Sequence, residues 1–242
     1  MLRAAIQTGL DTIWPMRCLG CGVVVDSGPG LCGSCWGQTP FIGGTVCDAC
    51  GVPLPGEVAG RVLCDACLKD RPPWDQGRAA LVYRDLARKL VLGFKHGDRT
   101  ELAQPAGRWM AQAAAPLLEP NMLIVPIPLH WRRMLKRRYN QAALLARALG
   151  VETGHDVCLD LLTRVKSTPK LDGMTKADRN AALDEAIAIT PRRRHRVAGR
   201  PVLLVDDVHT SGATFAAATR ACLAAGASRV CVVALARVAY DA

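Results

Sequence analysis

Short apolar runs alternate with amphipathic helical stretches after residue 78, and this pattern predicts an α/β domain whose mainly parallel sheet is flanked by helices. Two further observations complete the expectation. Eight of the 11 cysteines crowd into residues 18–67 as four Cys-x-x-Cys pairs, which marks off a small front module. Two adjacent carboxylates, Asp206 and Asp207, close the run PVLLV and lead into a hydroxyl-rich turn, the kind of strand end at which open α/β sheets bind ligands. At 242 residues, half of them apolar, the chain has room for one substantial core beside the small module.

The front module is expected over residues 15–70. Residues 18–35 (CLGCGVVVDSGPGLCGSC) and 47–67 (CDACGVPLPGEVAGRVLCDAC) are one unit written twice, each opening Cys-x-x-Cys-Gly-Val and closing Leu-Cys-x-x-Cys. That spacing suits tetrahedral thiolate sites, so two structural zinc ions are expected. Cys18, Cys21, Cys32 and Cys35 would hold the first, and Cys47, Cys50, Cys64 and Cys67 the second. Disulfide or redox chemistry and an iron-sulfur cluster are the alternatives; four thiolates per site leave no open position for hydrolytic catalysis.

KDRPPWDQG, residues 69–77, is polar with two prolines and reads as a boundary, with the second domain over 78–242. Within it, residues 79–83 read as a strand and 85–94 as a helix with Leu86, Leu90, Val91 and Phe94 on one face, ended by KHGD. Residues 102–118 are helical with Pro105 in the first turn, and 123–125 form a strand entering Pro-Ile-Pro. A helix follows over 140–149. The stretch 157–190 is less regular, with apolar patches VCLDLL and AIAI around a polar excursion. A buried strand over 202–205, a helix over 213–225 and a last strand over 229–235 complete the order.

The turn after the carboxylates carries the chemistry. Amides at a helix amino terminus lack intrahelical partners, so an anion above residues 211–214 can take several backbone hydrogen bonds, with Thr210, Ser211 and Thr214 adding hydroxyls. Gly212 is expected to leave room for a phosphate against the backbone, while carboxylates accept from sugar hydroxyls nearby. A sugar phosphate is the ligand this combination suits; an exposed Asp-Asp cap is the plain alternative. There is no Walker phosphate loop and no glycine-rich dinucleotide fingerprint.

Positive charge surrounds these residues. The chain has 31 Lys and Arg against 21 Asp and Glu, a formal net charge of +10 that favours phosphorylated metabolites or nucleic acid. Arg132, Arg133, Lys136, Arg137 and Arg138 lie in a proline-stiffened stretch, PIPLHWRRMLKRRYNQ, suited to neutralising a pyrophosphate or a nucleic-acid backbone. Residues 164–181 offer five more Lys and Arg, and PRRRHRVAGR at 191–200 reads as a basic surface or a solvated turn. His96, His130 and His209 are the histidines that can titrate near the site. No stretch approaches about 18 consecutive apolar residues, and the amino terminus does not resemble a signal peptide, so a cytoplasmic protein without membrane insertion is expected.

Here VLLVDDVHTSGAT resembles the type I phosphoribosyltransferase motif. Together with the double cysteine unit, FKHGD, IVPIPLH and RRYNQAALLARAL, nearly the whole chain resembles the ComF-like family. The resemblance implies a type I phosphoribosyltransferase-like fold. It gives Asp206 and Asp207 a catalytic, ribose-holding role and Thr210, Ser211, Gly212, Ala213 and Thr214 the 5-phosphate of phosphoribosyl pyrophosphate. Arg133, Arg137 and Lys95 would contact the substrate, and Mg²⁺ would accompany it. His209 and Ser211 depart from the common Leu-Thr-Thr-Gly-Ala-Thr form. The family is associated with DNA uptake in natural competence, so single-stranded DNA and competence proteins are candidate partners. Transfer of phosphoribosyl to a nitrogen acceptor competes with a nonenzymatic adaptor or phosphosugar sensor.

Overall fold

The computed structural model describes residues 15–25, 30–58, 60–96, 99–129, 139–165 and 186–239. In the front module, two short helices, α1 (Gly33–Gln38) and α2 (Asp65–Lys69), each begin just after a cysteine of a rear Cys-x-x-Cys pair. The large domain runs β1 (Gly77–Val82), α3 (Asp85–His96), α4 (Ala103–Ala114), β2 (Leu123–Pro126), α5 (Gln141–Thr153) and β3 (Asp156–Val157). It continues through β4 (Leu162–Arg164), β5 (Ile187–Ile189), β6 (Pro201–His209), α6 (Ala213–Ala224) and β7 (Arg229–Arg237).

Five strands form one parallel sheet in the order β1-β7-β6-β2-β3. Parallel neighbours need crossovers, and helices on both faces bury the middle of the central strands β6 and β7, which explains the unbroken apolar runs LLV and VCVVALA. One face packs Leu203, Val205, Cys231 and Val233 against Leu90, Val91 and Phe94 of α3, Met110 of α4 and Leu145 and Leu149 of α5. The other packs Val202, Leu204, Val230 and Val232 against Phe215, Ala217, Ala218 and Cys222 of α6. Each fully buried Leu, Val or Phe contributes about 1.5–3 kcal/mol, so this double layer is the main source of stability.

The irregular stretch resolves partly. Leu162–Arg164 and Ile187–Ile189, from the two apolar patches, pair antiparallel as a two-stranded sheet on the α6 side. Pro105 is the third residue of α4, where its missing N–H costs no helical hydrogen bond. Among the described residues, no helix is long and apolar enough to cross a membrane.

Strand order reverses between β2 and β6. Chain leaving β2 at Ile127, whose amide donates to the carbonyl of Val205, therefore emerges beside the Asp206-Asp207 end of β6, the crevice in which open α/β sheets hold ligands. The front module lies along the β1 edge: Phe41 bridges Leu81, and the Gly77 amide donates to the carbonyl of Asp48 at 2.8 Å. A side chain at Gly77 would stand 2.5 Å from the carbonyl oxygen of Ala49, so only glycine allows this approach.

Candidate functional site

Cysteines at the predicted positions gather into two groups of four, Cys18, Cys21, Cys32 and Cys35, and Cys47, Cys50, Cys64 and Cys67. Within each group all sulfurs lie within 4.8 Å of one another. The Cys21–Cys32 and Cys50–Cys64 sulfurs are 3.7 and 3.8 Å apart, against about 3.8 Å for the edge of a tetrahedron with Zn–S bonds of about 2.3 Å. Amides of Gly20 and Cys32 point at Cys18 Sγ at 3.3 and 3.2 Å, the outer hydrogen bonds that stabilise a metal thiolate. A hydrogen bond from the Cys50 thiol, reinforced by backbone amides and opposed by burial, lowers the Cys47 thiol to about 4. Thiols grouped in fours rather than pairs fit zinc, not disulfides.

At the crevice, the two carboxylates diverge. Asp207 is buried and takes the Lys95 ammonium at 3.1 Å from the end of α3. Tyr139 donates to the Phe94 carbonyl at 2.7 Å, fastening that end of α3; Asn140 caps α5 by accepting from the Ala142 amide and ties to the Ile127 carbonyl. Alternation along β6 turns Asp206 to the face of Val202 and Leu204, the α6 side. Its Oδ1 accepts from the Asp207 amide at 2.8 Å. Burial first, then the neighbouring Asp207 charge, pushes the Asp206 carboxyl up to about 7.

The turn after β6 begins one residue later than the sequence suggests, because His209 still belongs to the strand. Thr210 and Ser211 are exposed and Thr214 half-buried. Gly212 caps α6 with φ +80°, a left-handed conformation suited to glycine. The expected reason for that glycine is corrected. A side chain there would meet Trp74 at 2.7 Å and His209 Nε2 at 3.0 Å, so the space is filled by protein rather than kept for a phosphate. No side-chain cap bonds the first amides of α6.

His209 is also corrected as a titrating group. It is buried against Trp74 and Phe215, with ring centroids 5.6 and 5.2 Å away, and burial with the Arg237 charge lowers it to about 3. The imidazole is therefore neutral at ordinary pH. PRRRHRVAGR is a largely exposed turn, as one of its two readings expects, but its arginines are paired rather than free. Arg192 and Arg193 pair with Asp160, Arg196 and Arg200 pair with Asp156, and Arg194 donates to the Ala224 carbonyl. Arg132, Arg133, Lys136, Arg137, Arg138 and His130 lie outside the described residues, as do Gly97, Asp98 and residues 166–185.

Sequence reasoning missed Trp74 and Arg237. Trp74, a bulky apolar residue in a polar linker, is the one visible signal; Arg237 ends an apolar strand with nothing to mark it.

Comparison with known proteins identifies the front module and the family. Residues 9–73 match the double zinc ribbon domain. The DNA utilization protein YhgH of Salmonella typhimurium is 30% identical over 229 residues, covering 86% of this chain and 97% of that protein. The chain belongs to the ComF-like family. Another ComF-like relative, competence protein F of Haemophilus influenzae, is 29% identical over 204 residues, 82% of this chain and 86% of its own length. The solved glutamine phosphoribosylpyrophosphate amidotransferase of B. subtilis superposes with a TM-score of 0.40 at 17% identity over 59% of this chain and 30% of that one, a likeness too slight to argue from.

Proposed function

We propose that this ComF-like chain binds phosphoribosyl pyrophosphate in the crevice between β2 and β6 and serves DNA utilisation or nucleotide metabolism. One observation carries the reading: the half-buried Asp206, near the end of β6, is followed after His209 by an exposed hydroxyl-bearing turn and by the start of α6, whose first amides take no side-chain cap. The acidic part suits ribose hydroxyls and the amide part suits the 5-phosphate. Asp206 is the ribose-facing carboxylate. Asp207 acts from the far side, its charge balanced by Lys95, which thereby orients the strand end.

A nitrogen nucleophile attacking C1 of the pentose forms the new C–N bond as the C1–O bond to pyrophosphate breaks. Arg133 and Arg137 are the cations assigned to the departing pyrophosphate. Magnesium brought in with the substrate would supply further neutralisation of that charge. This fits the donor set, because among the described residues only the two cysteine groups assemble as metal sites. Burial makes His209 a weak base, so among the described residues the carboxyl held near neutrality at Asp206 is the proton acceptor assigned to the site.

A second reading keeps the same pocket without turnover, as a phosphosugar sensor in an adaptor that binds single-stranded DNA or an uptake protein. The relatives named for competence and DNA utilization favour it. A screen of phosphoribosyl pyrophosphate with Mg²⁺ against nucleobases and ammonia separates the two. Pyrophosphate release that depends on one acceptor supports transfer; tight binding without release for any acceptor supports the sensor, and absence of binding rejects both.

A further inference from the structure

The second cysteine group is fastened to the turn after β6 by side chains that ribose and phosphate binding do not use. Three consecutive carbonyls of its Cys47–Cys50 loop accept hydrogen bonds from the linker and the large domain: Asp48 from the Gly77 amide at 2.8 Å, Ala49 from the Trp74 indole at 2.5 Å, and Cys50 from Arg237 Nε at 3.2 Å. Two of these donors also reach the turn. Arg237 Nη1 donates to the carbonyls of His209 at 3.0 Å and Thr210 at 2.8 Å, and Trp74 fills the space beside Gly212. A zinc ion with four thiolates has a net formal charge of −2, so a guanidinium between that centre and the carbonyls of the turn is attracted from both sides.

We propose that Arg237 is a positioning residue for the anion-binding turn, tying residues 209 and 210 to the Cys47–Cys50 loop so that zinc at the second site sets the shape of the turn. The inference rests on the reading of residues 210–214 as an anion site. Its planar fork suits the task, since one group spans carbonyls on both sides; a lysine ammonium at this position reaches one side only.

The test uses the full zinc-loaded chain, with zinc content and melting temperature recorded for Arg237→Met, Arg237→Lys and the Cys64→Ser/Cys67→Ser double variant. Amide hydrogen exchange is read at residues 209–214, and phosphoribosyl pyrophosphate with Mg²⁺ is titrated in parallel. Losing the second zinc should speed exchange at these amides about 10-fold or more while β2 stays protected. Arg237→Met should do the same with two zinc ions still bound, Arg237→Lys should not restore protection, and combining Arg237→Met with the cysteine changes should add little. Unchanged exchange in Arg237→Met, or additive effects, would overturn the proposal. Where the parent binds the ligand, Arg237→Met should bind about 10-fold more weakly, and equal affinity also overturns it. A parent that does not bind at all defeats the phosphosugar reading, and the exchange result then decides the role of Arg237.

Discussion

Replacing Asp206 by Asn should stabilise the protein at alkaline pH while weakening its ligand site. In the folded chain the Asp206 carboxyl is raised from 3.8 to about 7, chiefly by burial and then by the Asp207 charge. A group with a raised folded pKa contributes stability that is complete below about pH 4 and is lost as pH climbs to about 7. At about 1.36 kcal/mol per pH unit, the ionised carboxylate costs on the order of 4 kcal/mol above neutrality. That figure is an upper bound, because the residue is partly open to solvent; the opposing charges of Lys95 and Arg164 are already contained in it. Asn keeps the oxygen that accepts from the Asp207 amide and cannot ionise. Denaturant unfolding of both proteins at saturating zinc, from pH 5 to pH 8, isolates the effect, since zinc-linked terms cancel in the difference. The advantage of the variant should grow by about 2 kcal/mol across that range. Parallel curves, or a gap that narrows toward pH 8, would refute the assignment of a raised carboxyl at this strand end.

Metal analysis should find about two zinc ions per chain. Chelation should unfold the front module before the sheet; one ion, or no loss of structure on chelation, contradicts the paired four-cysteine sites. Gly212→Ala combines a left-handed backbone with a clash against Trp74 and His209, and should cost about 2–4 kcal/mol by denaturant titration; a cost below about 0.5 kcal/mol means the turn relaxes freely. Lys95→Met leaves the buried Asp207 without its cation and should destabilise by about 2–3 kcal/mol, with most of the loss recovered in the Lys95→Met/Asp207→Asn double variant. Failure of that recovery argues against a direct ion pair.

The parallel strands and their helices were legible because both sheet faces are buried, which leaves continuous apolar runs such as LIV and VLLV between helical patterns. Cysteine spacing was equally informative, since tetrahedral coordination leaves little freedom in sequence. Features that depend on contacts distant in sequence were not legible. Carboxylates and a histidine disguised the last residues of β6, and β4 and β5 are three residues each and joined only through space. The arginines of 191–200 looked free because their partners, Asp156 and Asp160, lie more than thirty residues away. The neighbour of Gly212 was not legible: the sequence cannot say that Trp74, 138 residues earlier, occupies the space beside it.

Calorimetric titration of the zinc-loaded chain with phosphoribosyl pyrophosphate and Mg²⁺ tests the central claim most directly, run beside a folded variant lacking both carboxylates, Asp206→Ala/Asp207→Ala. Saturable one-to-one binding by the parent, weakened at least about 100-fold in the variant, is the predicted result; two charge-assisted hydrogen bonds from ribose hydroxyls to the Asp206 carboxylate, lost in the variant, account for about 3 kcal/mol. No heat of binding, or equal affinity in the two proteins, would contradict the account.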